Sequence, residues 1–267
     1  MPTHAINLIH ITDTHFFEKK TGKLAELNTY DSFQAVKQTL VQNLQKKAPD
    51  LIILTGDLSQ DTSIQSYKLV AKELELFSCP IGWVPGNHDN EDNLNKVFFK
   101  TSLSRDKTFI LGNWLIILLN SHWANHVEGS IQANELTRLY DLLKLYPQHH
   151  TLISLHHHIL PIQTPWLDCI NLVNHDAFLK IIQEHPQVQI VLSGHVHLAS
   201  HQVWEGIDFY TTPSTCVQSK PKSLTFTFED VPPGYRQFTL YPDGQYKTVV
   251  IRAKNYTLKP DLLCTGY

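Results

Sequence analysis

Five short fragments of this chain carry the residue types that hold metals and move phosphoryl groups. In order they are Asp13-Thr14-His15, Gly56-Asp57, Gly86-Asn87-His88-Asp89, His156-His157-His158 and Gly194-His195-Val196-His197. Each alone is a weak signal: Asp-x-His arises by chance, Gly-Asp is a common turn, and a lone strand histidine is usually a satisfied core residue. Together they offer carboxylate oxygen, amide oxygen and imidazole nitrogen without thiolate, a mixture that suits Mn, Fe, Zn or Co. So many donors exceed what one ion takes while keeping open positions, whereas two ions sharing a carboxylate use them economically. Two metals about 3.5–4 Å apart clamp the attacking and leaving oxygens of an in-line displacement, and they lower the pKa of a bound water towards neutrality. Phosphorus is the electrophile such a centre suits.

Something must carry these fragments to one place. Six apolar runs recur: 6–12, 50–56, 81–86, 114–120, 151–156 and 189–194. Their near-continuous Ile, Leu and Val content predicts strands buried on both faces. Amphipathic helical patterns lie between them at 32–48, 63–77, 131–145 and 175–185, with Thr29 or Asp31 as caps for the first. Alternating buried strands and helices predict an α/β layered fold with much parallel pairing. All five fragments then sit just past strand carboxyl ends, where open α/β sheets place their ligands. On extended backbone, Asp13 and His15 share a side, as do His195 and His197.

From about residue 200 the texture changes. A hairpin is expected around Glu205-Gly206, a strand at 224–228 ("LTFTF"), and a second hairpin turning at Pro242-Asp243-Gly244. A 65-residue tail makes a marginal core alone, so a single domain over 1–267 is expected, with a core at 1–200 and 201–267 completing a second sheet.

The charge balance is nearly even: Lys+Arg 22 against Asp+Glu 25, a formal net charge of −3. The longest lysine runs are pairs, Lys19-Lys20 and Lys46-Lys47. Neither a nucleic-acid nor a membrane surface is expected, because both rest on basic clusters. The first residues lack a basic signal region, no apolar run reaches membrane-spanning length, and the four cysteines are scattered. A soluble protein of the cytoplasm, with reduced thiols, is expected.

The order Asp-x-His, Gly-Asp, Gly-Asn-His-Asp, His, Gly-His-x-His resembles the signature of the calcineurin-like metallophosphoesterases. The stretches "LNTYDSFQAV", "TGDLSQD", "PGNHD", "LHHHILP", "GHVH", "TPSTCVQSKP" and "PPGYRQF" are similar to those of the bacterial class III cyclic-AMP phosphodiesterases. The resemblance implies a four-layer αββα sandwich of two mixed sheets flanked by helices, with a dimetal site at the strand ends. It implies that Asp13, His15, Asp57 and His197 hold one ion, and that Asp57 bridges to a second held by Asn87, His156 and His195. The ions are expected to be Fe or Mn, with Zn and Co as alternatives. The substrate is expected to be a small cyclic nucleotide, contacted by His15, Asp57, Asn87, His88 and His197. His88 is the expected catalytic acid, bonding the phosphate and protonating the leaving sugar oxygen, work suited to imidazole. The implied reaction is hydrolysis of 3′,5′-cyclic AMP to 5′-AMP. Other specificities (2′,3′-cyclic nucleotides, nucleotide pyrophosphates, other phosphodiesters) are the alternative.

Around this set, Asp89 either orients His88 or caps the next helix. Cys216 is no credible nucleophile and reads as part of a loop near the site. Family position alone makes Ser214 and Thr215 candidates for nucleotide contact. In the triple histidine, His156 is the expected ligand, His158 a pocket wall and His157 structural. His122 and His126 are expected near the pocket; His149, His150, His175 and His185 are expected in solvent. Asn120-Ser121 and Glu128-Gly129 depart from the Asp and the His-Gly that relatives often carry there. A Tyr ligand just after Gly-Asp, as in purple acid phosphatases, is absent.

Overall fold

The computed structural model describes residues 4–44 and 48–266. Eleven strands form two large sheets: β1 (Ile6–Ile11), β2 (Leu51–Thr55), β3 (Ile81–Val84), β4 (Thr108–Leu111), β5 (Trp114–Leu118), β6 (His150–Leu155), β7 (Val188–Ser193), β8 (Ser200–Trp204), β9 (Ile207–Thr211), β10 (Gly234–Leu240) and β11 (Tyr246–Arg252). The first sheet runs β11-β10-β1-β2-β3 and the second β8-β9-β7-β6-β5-β4. In the first, β1, β2 and β3 are parallel, while β10 and β11 add antiparallel at the edge. In the second, β9, β7, β6 and β5 are parallel, and β8 and β4 close the edges antiparallel. Parallel pairing brings the carboxyl ends of β1, β2 and β3 to one edge, and those of β6 and β7 likewise.

The helices are α1 (Thr29–Leu44), α2 (Ile64–Leu74), α3 (Glu91–Phe98), α4 (Ala133–Leu145), the single turn α5 (Pro165–Asp168) and α6 (His175–Gln183). The layering follows from alternation along the strands. On β2, Leu51 and Ile53 face the space between the sheets, while Ile52 and Leu54 pack with Phe33, Val36 and Leu40 of α1 and Tyr67 and Val70 of α2. On β5, Trp114, Ile116 and Leu118 face inward, while Leu115 and Ile117 pack with Leu139 and Leu143 of α4 and Phe178 and Ile182 of α6. Three apolar seams therefore separate four layers, αββα. Strands apolar at every position are what such a sandwich requires, since each has a seam on both faces.

Three expectations are corrected. The tail does not complete one sheet: β8 and β9 extend the second, whereas β10 and β11 join the first. β10 is apolar on both faces, with Phe238 and Leu240 in the inter-sheet seam and Tyr235 in the seam under α1, which suits a place beside β1, and Trp114 Nε1 donates to the Tyr241 carbonyl across the inter-sheet seam at 2.8 Å. The run 224–228 is not a strand; only Phe228–Glu229 pairs, with Gln218–Ser219, and Phe226 packs instead into a small cluster with Leu24, Leu27 and Val217. Helix α1 is capped by neither Thr29 nor Asp31: the Asn28 side chain accepts from Asp31 N at 3.0 Å. Residues 45–47, on the predicted continuation of α1 and including Lys46 and Lys47, lie outside the described residues. No helix among those described is long and apolar enough to cross a membrane.

Candidate metal centre

Immediately past the strands the backbone leaves the extended region. Asp13, His15, Asp57, His195 and His197 have φ of 55°, 46°, 50°, 67° and 49°, left-handed values that side chains with a Cβ seldom take. Same-side projection on extended backbone is thus corrected: the side chains converge because the chain turns sharply at each one. Such strain costs on the order of 1 kcal/mol per residue or more and persists only where the surroundings enforce it. Gly56 and Gly86 permit two of the turns to touch. A Cβ on Gly86 would stand 2.2 Å from Asp57 Oδ1, and one on Gly56 2.3 Å from Gly86 N.

The seven expected ligands come together. Asp13, His15, Asp57 and His197 present donor atoms all within 4.8 Å of one another. On the other side of Asp57, His156 Nε2 lies 3.1 Å from Asn87 Oδ1 and 3.2 Å from His195 Nδ1. Asp57 Oδ2 stands between the two sets, 3.7 Å from His15 Nε2 and 3.4 Å from His156 Nε2.

The outer nitrogens fix what the inner ones offer. His15 Nδ1 bonds Gln60 Oε1 at 2.6 Å, and His156 Nδ1 the Thr55 carbonyl at 2.5 Å. His195 Nε2 bonds the Ile170 carbonyl at 3.0 Å, and His197 Nδ1 the Val217 carbonyl at 3.1 Å. Oxygen acceptors of this kind require an N–H on the outer nitrogen, so in neutral imidazole the inner nitrogen is a bare lone pair. Lone pairs then face each other at 3.1 Å between His15 and His197, an arrangement that repels unless a cation lies among them. Asp13 Oδ1, buried beside them, has no hydrogen-bond partner and stands 3.3 Å from His197 Nε2. The residues therefore fit a pair of metal ions. Burial holds His15 down to about 3 and pushes His195 well below its ordinary value, whereas His156, despite burial, is raised to about 9 by the charge and hydrogen bond of Asp57.

Behind the donors lies a layer that sequence reasoning missed. His10, Thr12, Thr55 and Thr212 are all fully buried. Thr12 Oγ1 donates to Asp13 Oδ2 at 2.7 Å, and Thr55 Oγ1 donates to Thr12 Oγ1 at 2.8 Å. Having spent its one proton, Thr55 must accept from His10 Nε2–H at 2.7 Å, so His10 Nδ1 accepts from Thr212 Oγ1 at 2.6 Å. Burial, then the Arg236 charge, lowers His10 to about 3 and keeps it neutral, as this chain of donors needs. Every proton points towards Asp13 Oδ2, leaving Oδ1 for a cation. The available signal was a histidine in the middle of the apolar run 6–12.

Asp89 neither orients His88 nor caps the helix; Asn90 is the cap of α3, accepting from Asn93 N. Asp89 accepts from the backbone N–H of Leu58, Ser59 and Gly86 at 2.9–3.2 Å, tying together the turns after β2 and β3. Burial and nearby Asp57 raise it to about 7.

The remaining candidates separate by burial. His88 is partly buried, its backbone N–H donating to Asp57 Oδ1 at 2.8 Å, and it lines both cavities that open beside the cluster. His157 is buried and committed to Ser121 Oγ at 2.8 Å and the Val127 carbonyl at 3.1 Å, so it has no lone pair for a metal. His158 is not a pocket wall: it is buried behind His195, with ring centroids 5.9 Å apart. The chain bends at 156–157 instead of staying extended, which turns His158 inward. Ser214 and Thr215 are fully buried and cannot touch a nucleotide. Ser214 Oγ donates instead to the Asp13 carbonyl at 2.8 Å. Burial pushes the Cys216 thiol up to about 12, far from a nucleophile. His122 borders the larger cavity and His126 the smaller. His185 is buried, not solvated, bonding the Ile181 carbonyl at 2.7 Å; His149, His150 and His175 are partly buried.

Residues 6–199 match the family model for the calcineurin-like phosphoesterases, well over half the chain. The chain belongs to that family. This phosphoesterase is 36% identical over 266 residues to the 3′,5′-cyclic adenosine monophosphate phosphodiesterase CpdA of Vibrio vulnificus, covering 99% of this chain and 96% of that protein. It is 35% identical over 263 residues to CpdA of Escherichia coli K12, covering 98% and 95%. Among solved structures it is similar to a dimetal phosphatase from Danio rerio, with TM-score 0.68 and 16% identity over 94% of this chain and all of that one. Purple acid phosphatase PPD1 of yellow lupin gives TM-score 0.71 and 11% identity over 97% of this chain and 53% of that one, a likeness of fold alone.

Proposed function

We propose that this phosphoesterase is a metal-dependent phosphodiesterase that hydrolyses 3′,5′-cyclic AMP to 5′-AMP. One observation carries the reaction class: Asp57 Oδ2 stands 3.7 and 3.4 Å from histidine donors of two separate sets, the position of a carboxylate shared by two ions. The substrate is supported by relatives at 35–36% identity over nearly the whole chain that are 3′,5′-cyclic AMP phosphodiesterases. In this reading Asp13, His15, Asp57 and His197 hold one ion and Asp57, Asn87, His156 and His195 the other. Oxygen and imidazole donors without thiolate accept Fe, Mn, Zn and Co alike, and Fe or Mn is the pair proposed. When bound, such a pair supplies Lewis acidity and activates water for in-line attack on phosphorus.

The protein's own groups do the rest. Buried outer acceptors hold four imidazoles in the tautomer that faces inward. Strained turns after β1, β2 and β7 keep the donors converged before substrate arrives, so no reorganisation is needed during reaction. His88, on the rim and tethered to Asp57 through its N–H, bonds a phosphate oxygen and gives a proton to the leaving sugar oxygen. The substrate is a small molecule, and four free, scattered cysteines suit the cytoplasm.

Turnover on metal-analysed protein tests this, comparing 3′,5′-cyclic AMP, 3′,5′-cyclic GMP, 2′,3′-cyclic AMP and an aryl phosphodiester. The 3′,5′-cyclic AMP is expected to have the highest kcat/KM. Preference for 2′,3′-cyclic AMP or the aryl ester would overturn the substrate and leave the reaction class standing.

A further inference from the structure

Two cavities share His88 in their walls, and they differ in chemistry. The larger, about 630 Å³, meets the donor cluster at Asn87 and His88 and is lined by Glu91, Asp92, His122 and Trp123, an acidic surface with one indole that is stacked on His126 at 3.4 Å. The smaller, about 390 Å³, is lined by Asp57, Asn87, His88 and His195 and by the rings of Trp166 and Phe226. A 3′,5′-cyclic phosphate is fused to its ribose, so a phosphorus seated at the donor cluster fixes where the sugar goes. The base must then leave through one of these two openings. Of the two, the smaller alone carries Asp57 and His195 of the donor cluster together with a pair of aromatic rings, Trp166 and Phe226.

That aromatic surface is built. Trp166 follows Pro165 in α5, a turn closed by Asp168, which accepts from Ile162 N at 2.7 Å and Thr164 N at 3.1 Å. Its Nε1–H donates to Ser223 Oγ at 3.1 Å, tying the ring to the loop that carries Phe226. The Phe226 ring lies 4.9 Å from Trp166 at 53°, and Phe228 backs it at 4.8 Å. Resting on the functional reading above, we propose that Trp166, buttressed by Phe226, is the seat of the purine base. A flat, uncharged ring system stacks on an indole whatever its edge pattern, because every base presents a π-face. Purines stack over more area than pyrimidines, so the seat selects purine over pyrimidine cyclic nucleotides and separates adenine from guanine only weakly.

Two measurements decide the matter. The first is steady-state kinetics of wild type, Trp166→Ala and Trp166→Phe on 3′,5′-cyclic AMP and on methyl ribofuranoside 3′,5′-cyclic phosphate, which has no base. Trp166→Ala should raise KM for cyclic AMP by about ten- to a hundredfold, the scale of one lost base stack. It should leave kcat, metal content and base-free turnover near wild type, and Trp166→Phe should recover most of the loss. An unchanged KM, or equal damage to the base-free substrate, overturns the seat while cyclic-AMP hydrolysis stands. The second is equilibrium binding of 5′-AMP against ribose 5-phosphate, which needs no turnover. Tighter binding of 5′-AMP that vanishes in Trp166→Ala supports the seat even if wild type fails to hydrolyse cyclic AMP, in which case the functional reading alone falls. Equal binding of the two ligands by wild type overturns the seat.

Discussion

Glu73 on α2 and Asp13 beyond β1 are both carboxylates withdrawn from water, and their partners divide them. Glu73 is completely answered: Tyr30 OH donates to Oε1 at 2.6 Å, Gln34 Nε2 to Oε2 at 2.8 Å, and the Lys37 ammonium closes on Oε2. Asp13 is answered on one side only. Thr12 Oγ1 and the His195 N–H fill Oδ2, while Oδ1 is buried without a hydrogen bond, 3.3 Å from His197 Nε2. A native interior rarely tolerates an unpaired carboxylate oxygen, which costs more than a hydrogen bond gains. Satisfied burial marks a structural charge, whereas half-satisfied burial inside a ring of inward-facing imidazole nitrogens fits a cation. Asp89 belongs with Glu73 in this respect: it adjoins Asn87 in the same motif region, yet three backbone N–H groups consume it.

The contrast breaks most visibly at Asp57, the carboxylate shared by both donor sets. Asp57→Asn should lose metal and turnover by more than the roughly 10–100-fold that removing an outer partner costs. Retention of two equivalents of metal, by elemental analysis of the purified variant, would sink the shared-ligand reading. Next in size is His88→Ala. It should keep its metals and lose about 10²–10⁴ in turnover of cyclic AMP, the range of general-acid catalysis. The loss should shrink on an aryl phosphodiester, whose leaving group needs no proton. Equal losses on both substrates would remove the proton-donor role.

His10→Phe probes the layer behind Asp13. Metal affinity, titrated against a competing chelator, should weaken by about 10–100-fold, with milder loss in His10→Gln, which keeps a donor and an acceptor. Unaltered affinity in both would show that the donor chain does not aim Asp13. The smallest effect belongs to Glu73→Gln, which should leave metal content and turnover untouched. Burial alone would raise the Glu73 carboxyl, but Lys37, Tyr30 and Gln34 hold it down at about 2, below the usual 4.5. A depressed acid contributes stability that is present above pH 4.5 and lost as pH falls towards 2. The variant should thus be less stable than wild type at pH 7, and the gap should close on descending through that window. A gap of constant size, measured by urea unfolding from pH 7 to pH 3, would contradict the assignment.

Much of the site was legible because its donors lie in short contiguous motifs. Apolar runs at 6–12, 50–56, 81–86, 151–156 and 189–194 announced buried strands, and each delivers candidate donors at its carboxyl end. Failures share one cause, which is that side-chain direction beyond a strand end depends on what the turn packs against. Extended geometry placed His158 at the pocket, but the bend at 156–157 buries it. Motif position placed Ser214 and Thr215 at the nucleotide, but they lie sealed beneath the Asp13 loop. The tail was legible as hairpins, not as to which sheet each would join, because a strand pattern carries no address for its neighbour.

The sequence by itself determined the donor inventory, the seams of the sandwich and the strand ends where chemistry gathers, because residue type and period are local properties. Tertiary structure alone decided which oxygen of Asp13 stays bare, which nitrogen of each histidine faces inward, and that Trp166 and Phe226, sixty residues apart, share one cavity wall with His88. Those are matters of hydrogen-bond partners and packing brought from distant segments, and no local pattern encodes them.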